Sequence, residues 1–284
     1  MAEVRIRAVD DPTGCGHAED LQRAAWGMAD VEVVPRGQLI TAAGFGGMVL
    51  VAYDGDRPVG FVYGFPGLDG DETVLCSHML GVVPEYRSRD LGRRLKLAQR
   101  DAARERGLRR VVWTFDPLES RNAYLNLHKL GAVAHRYYVD RYGEMRDELN
   151  RGLPTDRLLA DWRLDEPHGR HHVADPAASP ALAGARDDGG LPRPDDLDRG
   201  ALSAPTARVA VPADVGAVKR ADADLALAWR LQVREALRAA FDAGLRAVDL
   251  TPPSAGSGGR GSSPVPPSGE AAVSWYVLSR LPPS

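Results

Sequence analysis

Glu72, Cys76 and His78 fall within one run of seven residues, ETVLCSH. An imidazole, with an unperturbed pKa of about 6.5, is the side chain best suited to act as a general base near neutral pH. His78 is therefore the leading candidate for a general base; its plainer reading is a hydrogen-bonded structural histidine. Cys76 stands two residues earlier, which on a strand puts both side chains on one face. Its thiol is a candidate nucleophile, although a small buried hydrophobe is the commoner use of such a cysteine. Glu72 is a second candidate base, against the alternative of a solvated strand end.

A second concentration of chemistry follows at once, in EYRSRDLGRR. From Arg87 to Arg110 there are ten Arg or Lys against three acids, a local net charge of +7. The loop runs straight into a helix, whose first N–H groups have no intrahelical partner and whose dipole favours an anion. The expected ligand is a phosphate. The basic helix over 93–110 is also conceivable as a nucleic-acid surface, but it contains no aromatic residue on which a base would stack. A solvated face beside a phosphate pocket is the simpler reading.

Metal chemistry has weaker support. Cys15 and His17, with Cys76 and His78, form two Cys-x-His pairs whose four side chains would suit tetrahedral zinc. Nothing in the sequence brings them together, and no metal is expected. The run PHGRHH, with His168, His171 and His172, reads as a solvated segment.

These residues need elements to hold them. Val4–Val9 reads as a strand, followed by helices near Ala18–Gly27 and Pro35–Ala43. Met48–Tyr53 and Pro58–Phe65 are apolar runs around Asp54-Gly55-Asp56, a hairpin signal. Glu72–Val83 reads as the next strand. Leu91, Leu95, Ala98 and Ala102 then make one helical stripe, with Gly107 where a helix C′ glycine belongs. Arg110–Phe115 is a short strand in which Trp113 and Phe115 serve as core or pocket wall. A helix is expected from Ser120 to Gly131, with strands at Ala132–Val139 and Arg157–Leu164.

Composition sets the organisation. Residues 166–207 hold six Pro, five Gly and nine Ala, and only four Leu and one Val as larger apolar side chains, which predicts a flexible linker. Residues 251–269 are Gly, Pro or Ser at 15 of 19 positions, which predicts a flexible loop. Between them Asp222–Ala243 is an amphipathic helix with Leu225, Trp229, Val233, Leu237 and Phe241 on one stripe. Arg246–Leu250 and Ala272–Leu278 are strand-like. The expected domains are thus 1–165, a linker at 166–207, and a smaller α/β extension at 208–284. The 284 residues are 44% hydrophobic and carry a net charge of −3, which argues against a polycation for nucleic acid or anionic membrane. Two cysteines exclude a disulfide framework. No run approaches the roughly 18 apolar residues of a membrane span, and the N-terminal MAEVRIRAVDD lacks a signal-peptide core. A cytoplasmic protein is expected.

The loop at 87–92 and a later helix resemble those of the GNAT acyltransferase superfamily. The signature of that superfamily is Arg/Gln-x-x-Gly-x-Gly/Ala after the fourth strand, and here it reads Arg87-Ser88-Arg89-Asp90-Leu91-Gly92, preceded by LGVVPEY. The stretch Ala123–Gly131, AYLNLHKLG, is similar to the superfamily's A-x-x-x-Y-x-K-x-G-F helix. The resemblance covers roughly residues 3–140, and DPLESRNAYLNLHKLGA looks like a bacterial subgroup with a C-terminal extension. It implies an α/β (α+β) GNAT fold, with a mixed, mostly antiparallel central sheet flanked by helices.

The resemblance further implies acetyl-CoA or another acyl-CoA as co-substrate. Backbone amides over Arg87, Ser88, Arg89, Asp90, Leu91, Gly92 and Arg93 would hold the pyrophosphate. A split after the fourth strand would admit pantetheine beside Leu80, Gly81 and Val82, and Asn122 and Asn126 would line the groove. The acceptor would be an amine of a small molecule or peptide, attacking the thioester directly. Oligomeric state stays open, with a homodimer suggested by the resemblance. Two positions depart from the pattern. Asp90 replaces the first signature glycine, bringing a carboxylate towards phosphate. Leu127 replaces the usual tyrosine acid, which leaves Tyr124, three residues earlier, as the fallback. An alternative reading from these departures is a domain that binds a ligand or partner without catalysis.

Overall fold

The computed structural model describes residues 3–87, 89–145, 152–167, 171, 173–186, 190–253 and 272–281. The chain divides into two compact units, one of residues 1–113 with 161–166, the other of 114–160 with 167–284. These boundaries differ from the expected 165 and 208.

The first unit is a sheet of strands in the order β1 (Arg5–Ala8), β2 (Met48–Asp54), β3 (Arg57–Asp69), β4 (Glu72–Val82) and β5 (Arg110–Phe115, to Trp113 in this unit). The first three pairings are antiparallel and β4–β5 is parallel. Helix α1 (Pro12–Trp26) starts earlier than its apolar spacing suggests, because the Asp11 side chain accepts from the N–H groups of Thr13 and Gly14 and Pro12 sits in the first turn. It ends at Gly27, at φ +65°. Helix α2 (Arg36–Gly44) and helix α3 (Leu91–Glu105) complete the unit. α3 and α1 cover opposite faces of the sheet. A Cβ at Gly60 would stand 3.3 Å from Leu95 of α3, whereas one at Gly81 would stand 3.2 Å from Ala25 and Trp26 of α1. The core between them includes Val51, Val59, Phe61, Val62 and Leu95, all fully buried.

The second unit opens with α4 (Ser120–Ala123), which runs into a π-helical segment, Tyr124–Lys129. The regular helix expected over Ser120–Gly131 is thus replaced by a widened one, in which the Leu130 N–H donates to Leu125 O, five residues back. A six-strand sheet follows in the order β6 (Val133–Tyr138), β11 (Arg246–Thr251), β12 (Val273–Ser279), β10 (Thr206–Pro212), β8 (Ala181–Arg186) and β9 (Arg193–Leu197). Strand β7 (Arg157–Arg163) divides between the units at Ala160. α5 (Val215–Ala221) precedes α6 (Ala223–Asp242), which Asp222 caps through the Leu225 N–H.

Strands β8 and β9 lie inside the segment whose composition predicts a linker. Small side chains suffice there because the backbone is paired and α6 covers it. Leu182 and Ala183 are fully buried, β8 runs parallel to β10, and Trp229 Nε1 of α6 donates to Pro192 O at 2.8 Å. Of the expected loop 251–269, residues from 254 on lie outside the described residues.

Candidate active site

The first unit builds a fork. β4 and β5 pair at Leu75–Val111 and Cys76–Val112, and Ser77–Val82 run on without a β5 partner among the described residues. Backbone N–H and C=O groups on that edge of β4 are left for something else to pair. Leu80 and Gly81 are anchored on the other edge by β3, opposite Val62 and Phe61. Gly81 must be glycine, since a Cβ would come within 2.7 Å of the Phe61 ring. Val82 O accepts from Arg87 Nε at 3.2 Å, and Arg87 Nη2 donates to Ala25 O at 2.5 Å. Arg87 therefore ties the loop to β4 and to the end of α1.

The loop leads into α3 through Asp90, which is left-handed at φ 59°, ψ 10°. That is the conformation a signature glycine supplies, and aspartate is among the few side chains that tolerate it. The Asp90 carboxylate makes no capping hydrogen bond to the helix; it pairs with Arg93 at 3.4 Å on the surface. The first i−4 bond of α3 is from Arg94 N to Asp90 O, so helix geometry gives the N–H groups of Leu91, Gly92 and Arg93 no helical acceptor. Three aligned donors at the start of a fifteen-residue helix favour an anion. Arg89 lies 5.0 Å from the Tyr86 ring, and the Tyr86 hydroxyl donates to Asp54. Ser88 lies outside the described residues.

His78 is where the strand is irregular. Tyr63 pairs with Met79 and Gly64 with Ser77, so His78 is the extra residue of a β-bulge. The residue is exposed, but its ring is crowded by Tyr63 at 6.0 Å and Phe65 at 5.8 Å. That crowding strips water from the ring and lowers its pKa, which favours the neutral imidazole a base requires. Cys76 is half-buried beside Gly67, where a Cβ would stand 2.8 Å from its sulfur, and burial raises its thiol pKa. Glu72 is engaged elsewhere: Arg110 Nη1 donates to it at 3.0 Å, in a cluster with Asp69 and Asp161. Cys15 is buried and His17 Nδ1 lies 3.0 Å from the Tyr53 hydroxyl. Among the described residues no group of three or more His, Cys, Asp or Glu is arranged to hold a metal.

Sequence reasoning missed a polar cluster under the fork. Lys96 is 2% exposed, and its Nζ donates to Ser77 Oγ at 2.8 Å and lies 3.4 Å from the centre of the Trp113 ring. Ser77 donates in turn to Gln99 Oε1 at 2.7 Å. Burial drives the Lys96 pKa well below the usual lysine range. The available signal was positional: Lys96, Gln99 and Ala103 continue the buried face of α3 from Leu91 and Leu95, where Ala98 and Ala102 are expected.

Tyr124, Asn122 and Asn126 belong to the second unit, whereas His78, Glu72 and the 80–93 residues belong to the first. Asn122 is exposed and accepts from Asn126 Nδ2 at 3.3 Å; Asn126 is buried. Leu127 is fully buried, so the position of the superfamily's tyrosine points into the core. Tyr124 stacks on His128 with ring centres 4.6 Å apart, and His128 Nδ1 lies 3.0 Å from the buried Asp249 carboxylate. Tyr124 also lines a cavity of about 430 Å³ with Arg121, Asp214, Val218 and Leu250.

No curated protein matches the chain. Among solved structures, the chain is similar to an acetyltransferase of the GNAT family from Streptococcus pneumoniae at 17% identity, covering 57% of this chain and 99% of that one with a TM-score of 0.45. It is similar to a GNAT family acetyltransferase from Elizabethkingia anophelis with acetyl-CoA bound at 16% identity, covering 56% and 97% with a TM-score of 0.41. It is also similar to the ribosomal-protein-S18-alanine N-acetyltransferase from Escherichia coli at 14% identity, covering 60% and 100% with a TM-score of 0.44. The acetyltransferase (GNAT) family model matches residues 17–132, about two fifths of the chain.

Proposed function

We propose that the protein is an acyl-CoA-dependent N-acyltransferase, with acetyl-CoA as the first donor to test. The observation that carries this reading is the β4/β5 fork opening beside a helix entered through a left-handed residue. The amides of Leu91, Gly92 and Arg93 fit a pyrophosphate, with Arg89 and Arg93 adding positive charge. The free edge of Ser77–Val82 fits the amide groups of a pantetheine arm. The thioester supplies an activated acyl carbon. His78, held neutral, would take a proton from an acceptor that arrives as an ammonium ion, before its nitrogen attacks the thioester. Arg87 acts as a strut for the loop, and Glu72 is a structural ion-pair partner. No helix among the described residues is long and apolar enough to cross a membrane. Two free cysteines fit a reducing, cytoplasmic location.

The second reading, a domain that binds without catalysis, is favoured by one observation: Leu127 is buried where a tyrosine acid is usual. Calorimetric titration of acetyl-CoA and free CoA into wild type and Asp90→Gly separates the possibilities. Micromolar binding by the wild type is expected. Absence of binding in the wild type, regained in Asp90→Gly, would mean that the aspartate disables the site and would sink the enzyme reading. Binding without transfer, with peptide and small-molecule amines as acceptors, would favour the second.

A further inference from the structure

Lys96 is a buried amine without a role in the reaction as described so far. Its place is fixed by the fork. β4 and β5 pair last at Cys76 and Val112, so Ser77 and Trp113 begin the two diverging arms. Lys96 touches both of them, through Ser77 Oγ at 2.8 Å and the Trp113 ring at 3.4 Å. It thus closes the narrow end of the fork from the α3 side.

The side chains that Nζ touches are uncharged, Ser77 on β4 and Trp113 on β5, and Gln99 of α3 is bonded to Ser77 in turn. Ser77 gives its hydroxyl proton to Gln99 Oε1 and only accepts from Lys96. Gln99 Nε2 is fully buried and has no hydrogen-bond partner among the described residues. With no carboxylate among these partners, burial favours an amine that holds a lone pair. A neutral buried amine can gain and lose a proton within one turnover, which an ion-paired lysine does not do readily.

We propose that Lys96 carries the proton from the attacking amine nitrogen to the departing CoA sulfur, a role that rests on the reading of the fork as an acyl-CoA site. The acceptor nitrogen and the sulfur are substituents of one carbon in the tetrahedral intermediate, so with that carbon at the narrow end of the fork one amine there serves both. As the C–N bond forms, the nitrogen becomes positive and gives a proton to the Nζ lone pair. As the C–S bond breaks, its electron pair leaves on sulfur, and the Lys96 ammonium returns that proton to give the CoA thiol. Lys96 ends neutral, and no further reactant is needed. The same relay supplies the proton that Leu127 cannot.

Binding is measured first, by titrating acetyl-CoA into wild type and Lys96→Met. A wild type that does not bind removes the acyl-CoA reading and this role with it. Hydroxylamine then serves as the acceptor, uncharged near neutral pH, and released CoA thiol is the product read. Lys96→Met is expected to bind acetyl-CoA within about threefold of wild type but to release CoA about 10²–10⁴-fold more slowly. A second readout needs no turnover, because a proton on Nζ lies over Trp113. Tryptophan emission is expected to titrate below the ordinary lysine range in wild type and not in Lys96→Met. The transition should move upward when free CoA is bound, since an anion favours the ammonium.

Near-wild-type CoA release by Lys96→Met overturns the role and leaves the binding reading standing. So does a wild type that binds acetyl-CoA but yields no CoA above the uncatalysed background. If Lys96→Met fails to fold, Ser77→Ala decides the matter. Loss of its hydrogen bond to Lys96 should shift the pH profile of CoA release, and an unchanged profile overturns the role.

Discussion

Asp90 shows how one residue can keep a backbone while changing a charge. Its left-handed φ of 59° is what the loop needs in order to turn into α3. A side chain without a short polar group pays about 1–2 kcal/mol for that conformation, and glycine pays none. Asp90→Ala is therefore expected to lower stability by about 1 kcal/mol, read from urea unfolding. Asp90→Gly should leave stability within about 0.5 kcal/mol while removing a carboxylate from the phosphate site. At the dielectric of bulk water that charge opposes a phosphate by about 1 kcal/mol at 4 Å, so CoA should bind about fivefold more tightly to Asp90→Gly. The partner Arg93 at 3.4 Å already answers part of the charge, which makes fivefold an upper figure. Unchanged or weaker CoA binding by Asp90→Gly would mean that phosphate is not held there.

At the scale of elements, a periodic helix is legible when its hydrogen bonds are regular, and this is why α3 and α6 are readable throughout, whereas the helix at 120–131 is readable in its place but not in its widened turn. Leu225, Trp229, Val233 and Leu237 fall on the predicted stripe of α6 and are all buried. The strand–hairpin–strand run from Met48 to Val82 was legible too, because Asp54-Gly55-Asp56 punctuates it and β-branched residues fill both sides. Nothing in spacing announces that Tyr124–Lys129 is π-helical, since the widened turn is set by what packs around it. The same holds for the bulge at His78 and for Lys96, whose burial depends on Ser77 and Trp113 from two other strands. Restoring the superfamily tyrosine tests the consequence. Leu127 is fully buried, so Leu127→Tyr adds volume and a hydroxyl to a filled core. The expected result is a loss of about 1–3 kcal/mol in stability, by chemical denaturation, with no gain in CoA release. A stable variant with faster release would put position 127 back in the site.

Across the whole chain, charge clusters explain what composition could not. Residues 161–166 return to the first unit although their neighbours in sequence belong to the second. Arg110 holds them there, donating to both oxygens of Asp161 at 2.6–2.7 Å, and to Asp69 and Glu72. Removing that guanidinium leaves Asp161 nearly buried and unpaired, so Arg110→Met should cost about 3–5 kcal/mol, and adding Asp161→Leu should recover most of it. In the second unit the corresponding lever is Glu119. Burial, with Asp116 and Asp214 adding repulsion, raises its pKa from 4.5 to about 7, against the weaker pull of Lys219 and Arg230. The folded state thus holds a proton that the unfolded chain has released between those two values. Stability from this group is full below pH 4.5, falls as pH rises, and is gone above about pH 7. The difference amounts to about 3 kcal/mol at its ceiling. Asp156, whose pKa is lowered by Arg234 and Tyr137, acts in the opposite sense and below its ordinary 3.8, outside this window. The comparison is with Glu119→Gln, which keeps the shape and removes the charge. That variant should unfold at a higher temperature than wild type at pH 8, by about 2–4 °C for each kcal/mol recovered. At pH 4.5 the two should converge, because both then carry a neutral side chain at 119. Parallel melting curves across the whole range would mean that Glu119 keeps its charge in the folded protein.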